Sequence, residues 1–282
     1  MSVSTISNGQ LTLSVSTHGA EMQSVKDAQG RERLWQGDPA FWTGRAPIMF
    51  PVCGGFKDDL YYLDGKAYPM TKHGFAKLKE WTVTEQKQDE ISLLLNESTE
   101  GFPFRYEFVI TYKLTGISVE ITMKVKNLDE QHFYFGIGSH EAYATPGGIE
   151  DYKVIFEQEE KLEVNELVGN LIKPEPVLLA DHARELPLEY RYFAVDALVF
   201  RSLKSRKVML INSAGDRKVT VEYPGMDVFM LWTKPNAGYI CLEPWSNAPD
   251  FLDTDQQIEH KPGCVCLDPG EEFSRTHTIT FE

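Results

Sequence analysis

Residues 117–125, ISVEITMKV, carry an apolar side chain at every second position: Ile117, Val119, Ile121, Met123 and Val125 alternate with Ser118, Glu120, Thr122 and Lys124. Successive side chains of a strand point to opposite faces, so this period describes a strand with one buried and one wet face. The same alternation runs through LTLSV (11–15), YEFVITYKL (106–114), KVTVEY (218–223) and HTITF (277–281), with β-branched and aromatic residues throughout. Turn-forming clusters stand between such stretches: DAQGRE, LDGKAY, TPGG, SAGDR and DPGEE. Helical character is confined to DPAFW near 38–42 and LPLEYRYF near 186–193, so no strand–helix–strand rhythm exists to build a parallel sheet. The expectation is an all-β chain, two antiparallel sheets packed face to face into a large β-sandwich with few short helices. No linker, charge block or repeat divides the 282 residues, and one domain over 1–282 is expected.

Charge and motifs then remove whole classes of function. The chain has 42 acidic against 28 basic residues, a formal net charge of −14, and that field repels nucleic acid and anionic membranes. A neutral small molecule suits it better. Apolar runs such as VFMLW (228–232) fall far short of the ~20 residues a membrane helix needs. The opening MSVSTISNGQ has neither a basic start nor an apolar stretch, and a cytoplasmic location is expected. Four cysteines, Cys53, Cys241, Cys264 and Cys266, are too sparse for a disulfide framework, and CVC lacks the spacer of a metal knuckle. The seven histidines are scattered without metal-ligand spacing, which leaves a His–His–Glu metal site assembled in space open but without support from spacing. Phosphate-binding glycine loops, dinucleotide fingerprints and a GxSxG elbow are all missing, so nucleotide chemistry and serine hydrolysis lose their usual supports.

Three segments place a titratable side chain among Gly, Pro and aromatic residues and off a clean alternating strand. In KHGFAKLKEW (72–81), Gly74 lets the chain turn tightly beside His73, with Phe75 and Trp81 as apolar surface. In GIGSHEAYATPGG (136–148), His140 leaves a strand through glycines toward Tyr143. Each histidine alone also reads as a hydrogen-bonded loop residue. In AGYICLEPWSNAPDF (237–251), Glu243 ends an apolar strand directly before Pro244 and Trp245. A buried carboxylate there needs a partner; it is a salt bridge or turn cap, or a general base tuned by burial.

The segments APIMFPVCG (46–54), LDGKAYPMTKHGFAKLKEW (63–81), GIGSHEAY (136–143), DALVF (196–200), ICLEPW (240–245) and KPGCVCLDPGEEF (261–273) form an ordered set over nearly the whole chain. The set resembles the aldose 1-epimerase (galactose mutarotase-like) family, and most of all its lactose-operon-associated branch of compact bacterial proteins. The resemblance implies a large β-sandwich with an open monosaccharide cleft, needing neither metal nor cofactor. It implies Glu243 as catalytic base, His140 as general acid, His73 as the second active-site histidine, and Asp196 as a sugar-hydroxyl ligand. Two positions depart from the family pattern. Gly55 stands where an arginine is usual, so the sugar contact expected there is either missing or supplied by Arg45 or Lys57. Glu141 stands where this branch commonly has proline.

The implied chemistry opens a cyclic hemiacetal: one proton leaves the C1 hydroxyl, one reaches the ring oxygen, and the ring recloses on the other face. A carboxylate and an imidazole divide that work. They are expected to converge with His73 on opposite sides of one sugar-sized hollow, with Trp245, Trp42 and Tyr143 offering rings to the apolar faces of the sugar. Two other readings stand beside it: a non-catalytic sugar-binding or sensor protein, and a hexose-6-phosphate epimerase, whose cationic pocket would need Arg45 and Lys57.

Overall fold

The computed structural model describes residues 1–282. The alternating stretches are strands: Leu11–Ser16, Tyr106–Thr115, Ser118–Asn127, Lys218–Glu222 and Glu272–Phe281. Val119, Ile121, Met123 and Val125 are buried, and their strand is held antiparallel between Tyr106–Thr115 and Glu272–Phe281. Ile117 differs from the expectation, being 39% exposed, because the turn at Gly116 places it before the pairing begins. Burying such a side chain contributes roughly 1.5–3 kcal/mol, so the regular wet-and-dry pattern fixes the register.

One hydrogen-bonded path carries most of the fold. It runs Ile48–Met49, Gly138–Ser139, Tyr239–Trp245, Val228–Trp232, Leu198–Phe200, Tyr152–Val168, Lys207–Asn212, Lys218–Glu222, Glu272–Phe281, Ser118–Asn127, Tyr106–Thr115, Glu90–Leu95 and Thr82–Gln86. The path curls over its own core: Phe50, following the first strand, packs its ring 4.7 Å from Phe108, near the far end. A separate sheet of Val3–Ser7, Leu11–Ser16 and Met22–Asp27 packs on the same core, where Leu13 and Val25 join Ile121 in one buried cluster. Across that contact the Tyr112 hydroxyl donates to the Ala20 carbonyl at 2.7 Å. The antiparallel β-sandwich expected from the sequence therefore forms, with layers that are largely parts of one continuous sheet.

The longest hairpin, Tyr152–Val168 with Leu171–Pro187, escaped the sequence reading for a physical reason. Glu157, Gln158 and Glu159 are exposed in succession, and the register slips between Ile155 and Glu160, so no clean alternation is written there. The helical stretches shrink to single turns. Leu186 is still paired with Val154, leaving only Tyr190–Phe193 as a 3-10 turn, and at 38–42 the N–H groups of Phe41 and Trp42 both reach the Asp38 carbonyl. No helix is long and apolar enough to cross a membrane.

Candidate active site

The strand Tyr239–Trp245 is buried over its whole length, with Val228–Trp232 on one side. On its other side the chain from Gly138 to Ala144 pairs with it twice, through Gly138 and through Ala142–Ala144. Between those pairings His140 and Glu141 leave regular strand geometry. Gly138 opposite Trp245 and Ala142 opposite Cys241 keep a single register, which sets His140 across from Glu243: His140 Nε2 lies 3.4 Å from Glu243 Oε1. Glu243 is 1% exposed and His140 9%.

His73 arrives from a separate loop. Both His73 and Gly74 have φ of +67°, a conformation that glycine adopts freely and other residues seldom. Gly74 is required for a second reason, since a Cβ there would lie 2.1 Å from the Phe50 carbonyl oxygen. The loop is pinned by a reciprocal pair of bonds: His73 N–H donates to the Gly54 carbonyl at 2.8 Å, and Gly54 N–H donates to His73 Nδ1 at 3.1 Å. With Nδ1 accepting, the neutral ring carries its proton on Nε2. The His73 ring stands perpendicular to both His140 and Trp245, with centroid separations of 5.8 Å and 5.4 Å. Trp42 lies against His140 at 4.9 Å and Trp232 meets it edge-on at 5.4 Å.

These groups line a cleft of about 680 Å³, within the ~300–1,000 Å³ of small-molecule sites. Burial dominates its electrostatics. It pushes the Glu243 carboxyl well above the usual carboxylate range, against the opposing charge of Lys72. It depresses His140 to about 3 and holds His73 well below 6.5, with the neighbouring His140 adding to the latter. Desolvation thus disfavours charge on both members of the Glu243–His140 pair. Three buried polar atoms here have no protein partner: Glu243 Oε2, His140 Nδ1 and Trp245 Nε1.

His140, Cys241 and Glu243 also bring a ring nitrogen, a thiol and a carboxylate within 4.8 Å of one another. Burial pushes the Cys241 thiol well up, which keeps it protonated and makes it a packing residue in this setting.

Of the residues singled out from the sequence, the structure brings His73, His140, Asp196, Glu243, Trp42 and Trp245 to one cleft. Asp196 sits at its rim, where its Oδ1 accepts from Ala197 N–H at 2.8 Å. The expected acid and base, His140 and Glu243, are adjacent and do not face each other across the hollow. Three expected sugar contacts lie elsewhere. Tyr143 is fully buried, its ring against Phe281, because it alternates onto the face away from the cleft. The Arg45 guanidinium donates to the Gln36 carbonyl at 2.9 Å, and Lys57 Nζ donates to the Leu252 carbonyl at 3.0 Å. The usual arginine has no room at Gly55, since a Cβ there would lie 2.8 Å from Asn170 Cβ, at the tip of the long hairpin. Lys72, Lys77 and Trp232 line the cleft but were not singled out. Trp232 closes the apolar run VFMLW and reads as core, while the lysines sit in the KHGFAKLKEW segment that drew attention only for its histidine.

Comparison with known proteins extends over the whole chain. The aldose 1-epimerase family model matches residues 2–280. The plasmid-encoded protein LacX of Lactococcus lactis subsp. lactis is 28% identical over 98% of this chain and 98% of its own. A galactose mutarotase related enzyme from Lactobacillus acidophilus superposes with a TM-score of 0.93 at 29% identity, covering 100% of this chain and 97% of that one. A galactose mutarotase-like protein from Lactobacillus casei, 24% identical, shares the fold with a TM-score of 0.94 over 100% of both chains.

Proposed function

This chain belongs to the aldose 1-epimerase family of carbohydrate epimerases, and from that premise we propose that it interconverts the α and β anomers of a monosaccharide by acid–base ring opening. The observation that carries the reading is the 3.4 Å contact between Glu243 Oε1 and His140 Nε2 on the wall of a sugar-sized cleft. The two oxygens of a cyclic hemiacetal share one carbon, so an acid and a base side by side reach both at once.

Glu243 accepts the proton of the C1 hydroxyl while His140 delivers one to the ring oxygen; C1 becomes a carbonyl, the C1–C2 bond turns, and the roles exchange on closure. Within the dry cleft, burial favours the neutral pair, with the proton on the carboxyl. The reactive arrangement, carboxylate beside imidazolium, differs only by transfer of that proton across the contact. Sugar hydroxyls bonding Glu243 Oε2 and His140 Nδ1 supply the solvation that this charge separation needs. His73, its Nε2–H free to donate, polarises the sugar, and Asp196 sorts hydroxyls at the rim. Trp42, Trp232 and Trp245 offer surface to its apolar faces.

Polarimetry or exchange NMR on freshly dissolved α-anomers tests the proposal. Accelerated approach to anomeric equilibrium is expected. Sugar binding without acceleration of any aldose would make the protein a sensor that retains the cleft.

A further inference from the structure

At the tip of the long hairpin Val168 pairs with Leu171, so the chain turns in two residues, Gly169 and Asn170. Gly169 carries the positive φ of the turn, +62°, so the backbone asks for glycine there and leaves the choice at 170 open. The tip is docked by backbone bonds on both sides of Asp250. Ile172 N–H donates to the Asp250 carbonyl at 2.9 Å, Leu252 N–H donates back to the Ile172 carbonyl at 3.1 Å, and Asp250 N–H donates to the Gly55 carbonyl at 3.0 Å. These bonds hold Asn170 over Gly55, whose missing Cβ makes the space: one there would lie 2.8 Å from Asn170 Cβ and 3.7 Å from its Cγ. The preceding residue, Gly54, pins His73 through both its N–H and its carbonyl. One Gly–Gly pair thus fixes the second histidine and the hairpin tip on the same cleft.

The fold makes no use of the amide that Asn170 brings there. Asn127, Asn165 and Asn247 donate theirs to the carbonyls of Leu267, Lys173 and Cys53 at 2.8, 2.9 and 3.0 Å, whereas the Asn170 amide, on the cleft, bonds no protein group. Its contact with Gly55 engages Cβ and Cγ and leaves the polar end over. We propose that Asn170 is a specificity-determining residue of the cleft, its amide binding sugar hydroxyls from the hairpin tip in a notch that only glycine at 55 leaves open. The inference rests on the epimerase reading for its ligand and on the Gly55–Asn170 contact for its residue. Arg45 and Lys57 do not compete for the role, since both are bonded to backbone carbonyls. An amide carries an acceptor and a donor side by side, so it reads two neighbouring hydroxyls at once, one giving and one receiving a proton. Being neutral, it selects hydroxyls without adding charge to the site.

Anomer exchange would be measured by NMR on glucose and galactose and on their derivatives lacking the hydroxyl at C2, C3, C4 or C6, with wild type and Asn170→Ala. The alanine variant, matching wild type in its unfolding curve, is expected to raise KM for the parent sugar about 3–10-fold, as loss of a neutral hydrogen bond does, and to lower kcat less. For one deoxy sugar, or two lacking hydroxyls on neighbouring carbons, the wild-type advantage in kcat/KM should fall to near one; for the others it should match the parent. An advantage of the same size on every derivative would mean that the residue only shapes the loop, and none on the parent that it touches nothing; either result overturns the proposal. Failure of wild type on every aldose would strike the epimerase reading and leave the contact to calorimetric titration with the same sugars. Binding weakened by the substitution for the parent but not for the matching deoxy sugar upholds Asn170. Binding that is absent, or indifferent to the substitution, refutes it.

Discussion

His277 Nε2 lies 3.0 Å from Glu141 Oε1, with neither residue exposed, and Ser139 completes the contact through its hydroxyl, 2.9 Å from Glu141 Oε2 and 3.1 Å from His277 Nε2. Ser139 and Glu141 flank His140, so this buried cluster ties the segment bearing the proposed acid to the strand Glu272–Phe281. Removing one partner strands the other in a dry core, which costs roughly 3–5 kcal/mol. Glu141→Ala is expected to lose about that much in urea unfolding, and a Glu141→Ala/His277→Ala cycle to show coupling of at least ~1 kcal/mol. A loss under about 0.5 kcal/mol, typical of a surface site, would mean that the cluster holds nothing in place.

Glu243→Gln and His140→Asn remove the proposed base and acid with little change of shape. Each is expected to lower kcat for anomer interconversion at least ~10²-fold, with unfolding curves showing a retained fold. The double variant should be little slower than either single one, because the two act on one proton path. His73→Asn, at a position whose positive φ asparagine tolerates, is expected to raise KM more than it lowers kcat. Independent, multiplying losses for Glu243 and His140 would contradict a shared step.

How far the sequence revealed this site depends on the kind of signal each residue leaves. Glu243 was legible because an acid ending an apolar strand is a local contradiction that needs resolving. His140 was singled out from its glycine-flanked segment, but its place beside Glu243 was not legible, since nothing local says that the pairing of Gly138 and Ala142 with one strand leaves His140 between them. Tyr143 was misjudged because sequence nearness to His140 does not survive alternation, which carries it to the Phe281 side. Lys72 and Lys77 left no signal at all, for a lysine lacking a carboxylate can be recognised only once every neighbour is placed. The strands fared best where one face was wet; in the hairpin, successive exposed residues and a register slip erased the period.

The buried titratable groups give stability an opposed dependence on pH. His140 and His73 have folded values depressed below 6.5, so the unfolded chain binds more protons; their contribution is whole above about pH 6.5 and is lost as pH falls, for His140 toward about 3. Glu243 has a folded value raised above 4.5, so its contribution is whole below about pH 4.5 and declines as pH rises. Each contributes a slope of at most ~1.4 kcal/mol per pH unit. His140→Asn should therefore flatten the acid limb of a stability profile from denaturant unfolding. Glu243→Gln should gain on wild type progressively as pH rises above about 4.5. Parallel profiles for wild type and Glu243→Gln would show that the carboxyl titrates as if exposed.

Gly55 supplies a direct steric test of the departure from the family pattern. A Cβ at residue 55 would lie 2.8 Å from Asn170 Cβ and 3.2 Å from the Asn170 carbonyl oxygen, so any side chain there pushes on the hairpin tip next to the cleft. Gly55→Arg is expected to destabilise by about 1–3 kcal/mol, as overpacking does, and to leave kcat/KM no higher than wild type. Adding Asn170→Gly removes the Asn170 side chain and should recover much of the stability, because the obstacle is local. Differential scanning calorimetry of wild type and the two variants, read beside anomer exchange on free sugars, checks both halves. A stable, faster Gly55→Arg single variant would show that the hairpin yields easily and that the arginine's place was never blocked.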